Sequence, residues 1–193
     1  MDRKVKPYIT PGEYLEIERS AEYKSEYYNG EMYALAGAGF NHNVILSNLA
    51  IFLGNHIRDK NCYQFINDMR LFIPAYSLYT YPDVMIICSN INFTDEKKDT
   101  VLNPLLIIEI LSKTTESYDR GKKFEFYRSI TSLKEYVMVS SDRPLVEVYT
   151  RGDNSLWVLK DENNPDASAQ ISSLDLQVPL KEIYFKVDFE SKD

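Results

Sequence analysis

Apolar positions recur along the chain with two periods, one helical and one extended, and the changes between them mark out the elements. Thr10-Pro11-Gly12-Glu13 has the form of a capping box with proline at the first helical position, which predicts a short helix running to about Arg19. Glu26-Tyr27-Tyr28 and Glu31-Met32-Tyr33-Ala34-Leu35 flank Asn29-Gly30, the dipeptide best suited to a two-residue hairpin turn. From about Asn41 to Asp59 the apolar residues Ile45, Leu49, Phe52, Leu53 and Ile57 keep helical spacing and predict a long helix. Strands are expected at Tyr63–Ile66, Met69–Ile73 and Asp83–Cys88, followed by an exposed loop over Ser89–Asn103 that carries Asp95-Glu96-Lys97-Lys98-Asp99. Leu105–Leu111 is almost wholly apolar, as a strand covered on both faces must be. Tyr118–Ile130 returns to helical spacing, Glu135–Val139 reads as a further strand, and Leu145–Thr150 with Leu156–Lys160 forms an extra hairpin around Gly152-Asp153-Asn154. The order of helix, strands, helix and strand predicts an α/β fold with a mixed β-sheet flanked by helices.

Length and composition narrow the class. A chain of 193 residues, 44% hydrophobic and 26% charged, suits one domain over 1–193 with a core at about 10–160 and an acidic C-terminal extension over 161–193. Its apolar runs are too short to cross a bilayer, so no membrane partner is expected. The opening Met1-Asp2-Arg3-Lys4-Val5-Lys6-Pro7 lacks the apolar stretch of an export signal. The two cysteines, Cys62 and Cys88, cannot supply a disulfide framework; they and His56 receive structural readings, and a cytoplasmic location is expected.

Charge is unevenly placed. The net charge is −7, and residues 142–193 hold six basic against eleven acidic side chains. Residues 113–134 run the other way, with Lys113, Arg120, Lys122, Lys123, Arg128 and Lys134 against Glu116, Asp119 and Glu125. Net acidity weakens a nonspecific grip on nucleic acid without forbidding a local cationic strip from meeting phosphate. The plainer reading of that strip is the solvated face of a helix.

Two carboxylates and one lysine stand in unusual company. Glu109 interrupts the most apolar strand of the chain, and a carboxylate there loses its water unless a partner replaces it. Asp83 opens another apolar strand directly after Pro82. If the two strands are neighbours, the pair could hold a divalent cation of the magnesium kind, which favours oxygen ligands. The alternatives are a buried ion pair for Glu109 and a turn or strand cap for Asp83. On the helix that follows, Lys123 falls within the stripe made by Phe124, Phe126, Tyr127 and Ile130, whereas Lys122 faces away. Its ammonium either snorkels to water or points at the carboxylates, where it could stabilise charge growing on a phosphate.

At these residues the sequence resembles a known family. Tyr81-Pro82-Asp83-Val84, Pro104-Leu105-Leu106-Ile107-Ile108-Glu109-Ile110-Leu111-Ser112, Tyr118-Asp119-Arg120-Gly121-Lys122-Lys123-Phe124, Tyr127 and Glu135-Tyr136 are similar to the Uma-two family, a restriction-endonuclease-like group of the PD-(D/E)xK nuclease superfamily. The resemblance spans about residues 10–160 and implies a restriction-endonuclease-like fold and a metal-dependent endonuclease that hydrolyses phosphodiester bonds in DNA. It implies Mg2+ as cofactor, with Mn2+ able to substitute, held by Asp83 and Glu109. The lysine expected two residues after Glu109 is Leu111 here, so Lys123 takes that role, with Lys113 as rival. Lys113 stands where the family usually has proline, and Tyr136-Val137 replaces Tyr-Trp. Glu26 and His42 fall where the family tends to carry Glu and His and are further catalytic candidates; taken alone, Glu26 reads as a cross-hairpin partner and His42 as a backbone-bonded helix residue. Asp68 reads as a turn former with a lesser claim to the metal. Such proteins commonly act on duplex DNA as two-fold pairs, so a homodimer is expected. The competing function is a catalytically inactive nuclease-fold binding or assembly module, favoured by the net acidity and by the leucine at position 111.

Overall fold

The computed structural model describes residues 7–190; the charged residues 1–6 and the last three of the acidic C-terminal stretch lie outside the described residues. Helix α1 (Pro11–Ser20) begins as its sequence predicts: Thr10 Oγ1 accepts from Glu13 N, and the Glu13 carboxylate accepts from Thr10 N. Strands β1 (Ser25–Tyr28) and β2 (Glu31–Ala34) then pair across Asn29 (φ 44°) and Gly30 (φ 96°). Both turn residues have the positive φ of a type I′ hairpin. At Gly30 the Tyr8 ring packs so close that a β-carbon would collide with it.

Helix α2 (Phe40–Ile57) buries Ile45, Leu49, Leu53 and Ile57, four residues apart on one stripe. It is followed by β3 (Cys62–Ile66), β4 (Arg70–Ile73), β5 (Leu78–Thr80), β6 (Val84–Cys88), β7 (Thr100–Val101) and β8 (Leu106–Leu111). The predicted exposed loop over 89–103 therefore contains a short strand, β7, which pairs with β4 and has both residues buried. The single helix expected over Tyr118–Ile130 is three consecutive pieces: α3 (Glu116–Tyr118), a π-helical turn (Asp119–Lys123) and α4 (Phe124–Tyr127). Next come β9 (Glu135–Ser140), β10 (Val146–Arg151), β11 (Trp157–Glu162), β12 (Ser168–Ile171), β13 (Leu176–Pro179) and α5 (Leu180–Ile183).

The mixed sheet is the six-stranded one, in the order β11-β10-β9-β8-β6-β3, with β8 parallel to β9 and antiparallel to β6. A five-stranded sheet, β2-β1-β5-β4-β7, and the β12-β13 hairpin complete the α/β fold. Alternation along β8 decides what each face meets. Leu106, Ile108 and Ile110 pack with α2 on one side, joined by Ile171, Leu174, Val178, Leu180 and Ile183 from the C-terminal residues. Ile107 and Leu111 point the other way, into a second core with Phe126, Tyr127 and Tyr136 and with Leu71, Ile73 and Leu78 of the smaller sheet. Glu109 has the parity of this second face.

Cys62 and Cys88, opposite each other on β3 and β6, form a disulfide. Their structural role is thus a covalent tie between two strands. Among the described residues no helix is long and apolar enough to cross a membrane.

Candidate active site

Strand pairing brings the two carboxylates together. The β6–β8 register pairs Val84 with Ile108, so Asp83, one residue before, faces Glu109. Asp83 Oδ2 accepts from the Ile110 backbone N–H at 2.8 Å and contacts His42 Nε2 at 3.1 Å. These two bonds tie the Asp83 side chain to β8 and to the first turn of α2. His42 Nδ1 is buried without a partner among the described residues. His42 is therefore a side-chain partner of Asp83, not only a backbone-bonded helix residue.

Glu109 is 3% exposed. Oε1 accepts from Lys123 Nζ at 2.9 Å and from the Tyr127 hydroxyl at 2.6 Å. Burial pushes the carboxyl up, Asp83 and Asp119 push the same way, and Lys123 and Tyr127 pull against them. For Lys123, burial works against the charge, but the charges of Glu109, Glu26 and Asp119 outweigh it and hold the ammonium protonated. Lys123 Nζ also stands 3.3 Å from Asp119 Oδ1, four residues earlier. The π-helical turn contains both residues and buries both.

The other candidates divide clearly. Glu26 is buried, accepts a hydrogen bond from Thr80 Oγ1 and acts through its charge on Lys123, so it faces the centre. Asp68 stays outside: it is exposed on its turn and pairs with Lys24 at 2.8 Å. Lys113 is exposed in the loop after β8, and Lys122 points to the surface, where it meets Glu125 at 2.9 Å. The structure thus gathers Asp83, Glu109, Lys123, His42 and Glu26, and leaves Lys113 and Asp68 apart. Two participants had no assigned role in the sequence reading. Both stand in the blocks that carry the family resemblance, Asp119 also as the i, i+4 partner of Lys123 and Tyr127 within the apolar stripe.

The donor set fits a hard divalent cation in kind. Asp83 and Glu109 offer carboxylate oxygens, and magnesium is commonly held by one or two carboxylates with waters completing its shell. Among the described residues no group of three or more His, Cys, Asp and Glu side chains is arranged to hold a metal ion.

Comparisons with known proteins bear on the family and the fold. The family model described as "Uma2: Putative restriction endonuclease" matches residues 11–181. The uncharacterized protein sll1609 of Synechocystis is 38% identical over 164 residues, covering 85% of this chain and 93% of that protein. A second uncharacterized Synechocystis protein, slr1290, is 32% identical over 180 residues, 92% of each chain. Among solved structures, a putative nuclease belonging to DUF820 from Anabaena variabilis superposes with a TM-score of 0.73 at 19% identity, covering 91% of this chain and 97% of that one.

Proposed function

The chain belongs to the Uma2 family, described as putative restriction endonucleases, and from that premise we propose a magnesium-dependent endonuclease of the PD-(D/E)xK type that hydrolyses phosphodiester bonds in DNA. The observation that carries the reading is the meeting of Asp83, Glu109 and a protonated, buried Lys123 on one face of the central sheet. Asp83 and Glu109 would hold the cation. A magnesium ion bound there supplies charge neutralisation on the phosphate and acidifies water.

The protein's own groups do the positioning. Ile110 N–H and His42 fix Asp83, and the Tyr127 hydroxyl fixes Glu109, so neither carboxylate has to be ordered when substrate arrives. Lys123 keeps its proton among the Glu109, Glu26 and Asp119 carboxylates and presents positive charge where a phosphate oxygen becomes more negative. Water attacks phosphorus in line and gives up one proton to solvent, the phosphorus–oxygen bond opposite breaks, and the departing oxygen takes one proton from solvent. Incubating supercoiled, linear and single-stranded DNA with magnesium or manganese tests the reading, with Asp83→Ala as control. Metal-dependent cleavage that the variant lacks supports it.

A second reading has one observation behind it. The Lys123 ammonium is engaged by both Glu109 and Asp119, an arrangement that also serves as a closed buried ion pair in an inactive binding or assembly module. DNA binding without cleavage under any metal supports that alternative.

A further inference from the structure

Beside the Glu109–Lys123 pair lies a cavity of about 340 Å3 with aromatic walls: Tyr28 and Tyr33 from the β1–β2 hairpin, Tyr118 from α3 and Phe126 from α4. Glu26 and Lys122 supply its charged atoms. Two side chains connect it to the carboxylate centre. Glu26 acts on Lys123 through its charge, and Lys123 Nζ stands 5.9 Å from the Tyr118 ring centroid. A ligand in the cavity is therefore a neighbour of whatever lies at Glu109.

Size and chemistry restrict the occupant. The volume falls at the low end of the roughly 300–1,000 Å3 typical of small-ligand sites. Tyr28 rests on Phe126 with ring centroids 5.2 Å apart, so part of the wall is held in place before any ligand arrives. Tyr118 is 38% exposed, which leaves ring area for a planar partner. At the rim, Lys122 Nζ sits 5.5 Å from the Phe126 centroid and places a cation next to the aromatic wall. A flat π-system carrying an attached phosphate matches both features, since bases of every kind stack on aromatic side chains and the backbone follows cationic groups.

Glu26 adds selectivity. Thr80 Oγ1 donates to its Oε1, and the side chain also lines the cavity. Carboxylate oxygens are hydrogen-bond acceptors, so Glu26 favours an occupant that brings an N–H group. Cytosine, adenine and guanine each carry an exocyclic amino group. Thymine offers one ring N–H set between two carbonyl oxygens that would face the carboxylate.

We propose that this cavity receives one unpaired nucleobase bearing an exocyclic amino group, from the strand whose phosphate lies at Glu109 and Lys123. The inference rests on the nucleic-acid reading above and adds a substrate class: strands with an unstacked base. A base within a continuous duplex must first be taken out of its stack, at a cost that is least where it is already unpaired.

The test reads binding rather than turnover. Fluorescence anisotropy is measured with labelled single-stranded oligo-dC, oligo-dT and a base-free tetrahydrofuran chain of equal length, in EDTA and again with calcium. Oligo-dC is expected to bind more tightly than oligo-dT and roughly tenfold more tightly than the base-free chain. Tyr118→Leu should lower oligo-dC affinity by about tenfold and leave the base-free chain unaffected. Glu26→Gln, which preserves shape and adds a donor, should reduce the preference for dC over dT while base-dependent binding remains. Circular dichroism checks that both variants are folded. Equal binding of the three chains, an equal loss on all of them in Tyr118→Leu, or binding of none overturns the proposal. In each of those cases metal-dependent cleavage of duplex DNA decides separately whether the nuclease reading stands.

Discussion

Lys123 Nζ lies 2.9 Å from Glu109 Oε1, joining a helical turn to the middle of the central sheet through a buried ion pair. Removing one partner of such a pair usually destabilises by about 3–5 kcal/mol, because a buried charge is left alone. Glu109 has an escape from this penalty. Burial already raises its carboxyl to about 8, and loss of the lysine raises it further, so the acid can become neutral.

Stability of Lys123→Met should therefore depend on pH in a defined direction. The folded-state value of Glu109 lies above the unfolded one, so the neutral acid is the form the fold favours. The variant should come closest to the parent near pH 4.5 and lose ground as pH rises through 8 and beyond. Thermal unfolding at pH 5 and pH 8.5 checks this; a deficit that shrinks at high pH contradicts it.

Metal binding should follow the same carboxyl in the opposite sense, since ligation needs the anion. Manganese affinity measured by calorimetry should climb as pH rises toward about 8. Asp83→Ala and Glu109→Ala should each abolish it. If Glu109→Ala binds manganese as the parent does, the assignment of the ligands is wrong.

Acid stability should depend on a site remote from this centre. Arg19 grips Asp99 through Nε at 2.7 Å, and Arg70 reaches it at 3.0 Å. The Arg19 hydrogen bond leads in holding the Asp99 carboxyl down to about 2 from 3.8. Its contribution is present above the unfolded value and is lost as pH falls from about 4 through 2. Asp99→Asn should flatten that part of the stability profile, and an unchanged acid limb in the variant would count against the tether.

Assembly is predicted at the far edge of the central sheet. Strand β11 ends the six-stranded sheet, and Leu156, Val158 and Leu159 at this edge are 67%, 52% and 44% exposed. An open apolar edge favours pairing with a second copy. Light scattering at micromolar concentration should give a dimer mass that Val158→Lys reduces; a monomer in the parent removes the idea.

Much of this arrangement is legible in the sequence, and the residues that are not share a physical reason. Asn29-Gly30, the Thr10–Glu13 box and the apolar run around Glu109 are local signals, and each became the element it predicted. Strand β5, three residues long, and β7, two residues inside a charged stretch, carry too little pattern to register. Ile171, Leu174 and Val178 belong to the core, but Ser172, Ser173 and Asp175 break their runs, so the stretch read as an acidic extension. The contact of His42 with Asp83 spans 41 positions and depends on how α2 lies across the sheet. The Cys62–Cys88 bond likewise needs the β3–β6 register, which neither strand declares alone. Lys123 was legible from its place on an apolar stripe, whereas the turn that also buries Asp119 departs from the 3.6-residue period used to read it.

The central claim is that Glu109 and Lys123 serve phosphodiester hydrolysis, and the most direct measurement is the rate of supercoiled DNA nicking in magnesium. The parent should nick, Glu109→Gln should be inactive, and Lys123→Met should be slower by on the order of a hundredfold. Lys113→Met, altered at an exposed loop lysine, should keep the parental rate. A parent that cleaves nothing with magnesium or manganese, or a Glu109→Gln protein that nicks as fast as the parent, contradicts the account.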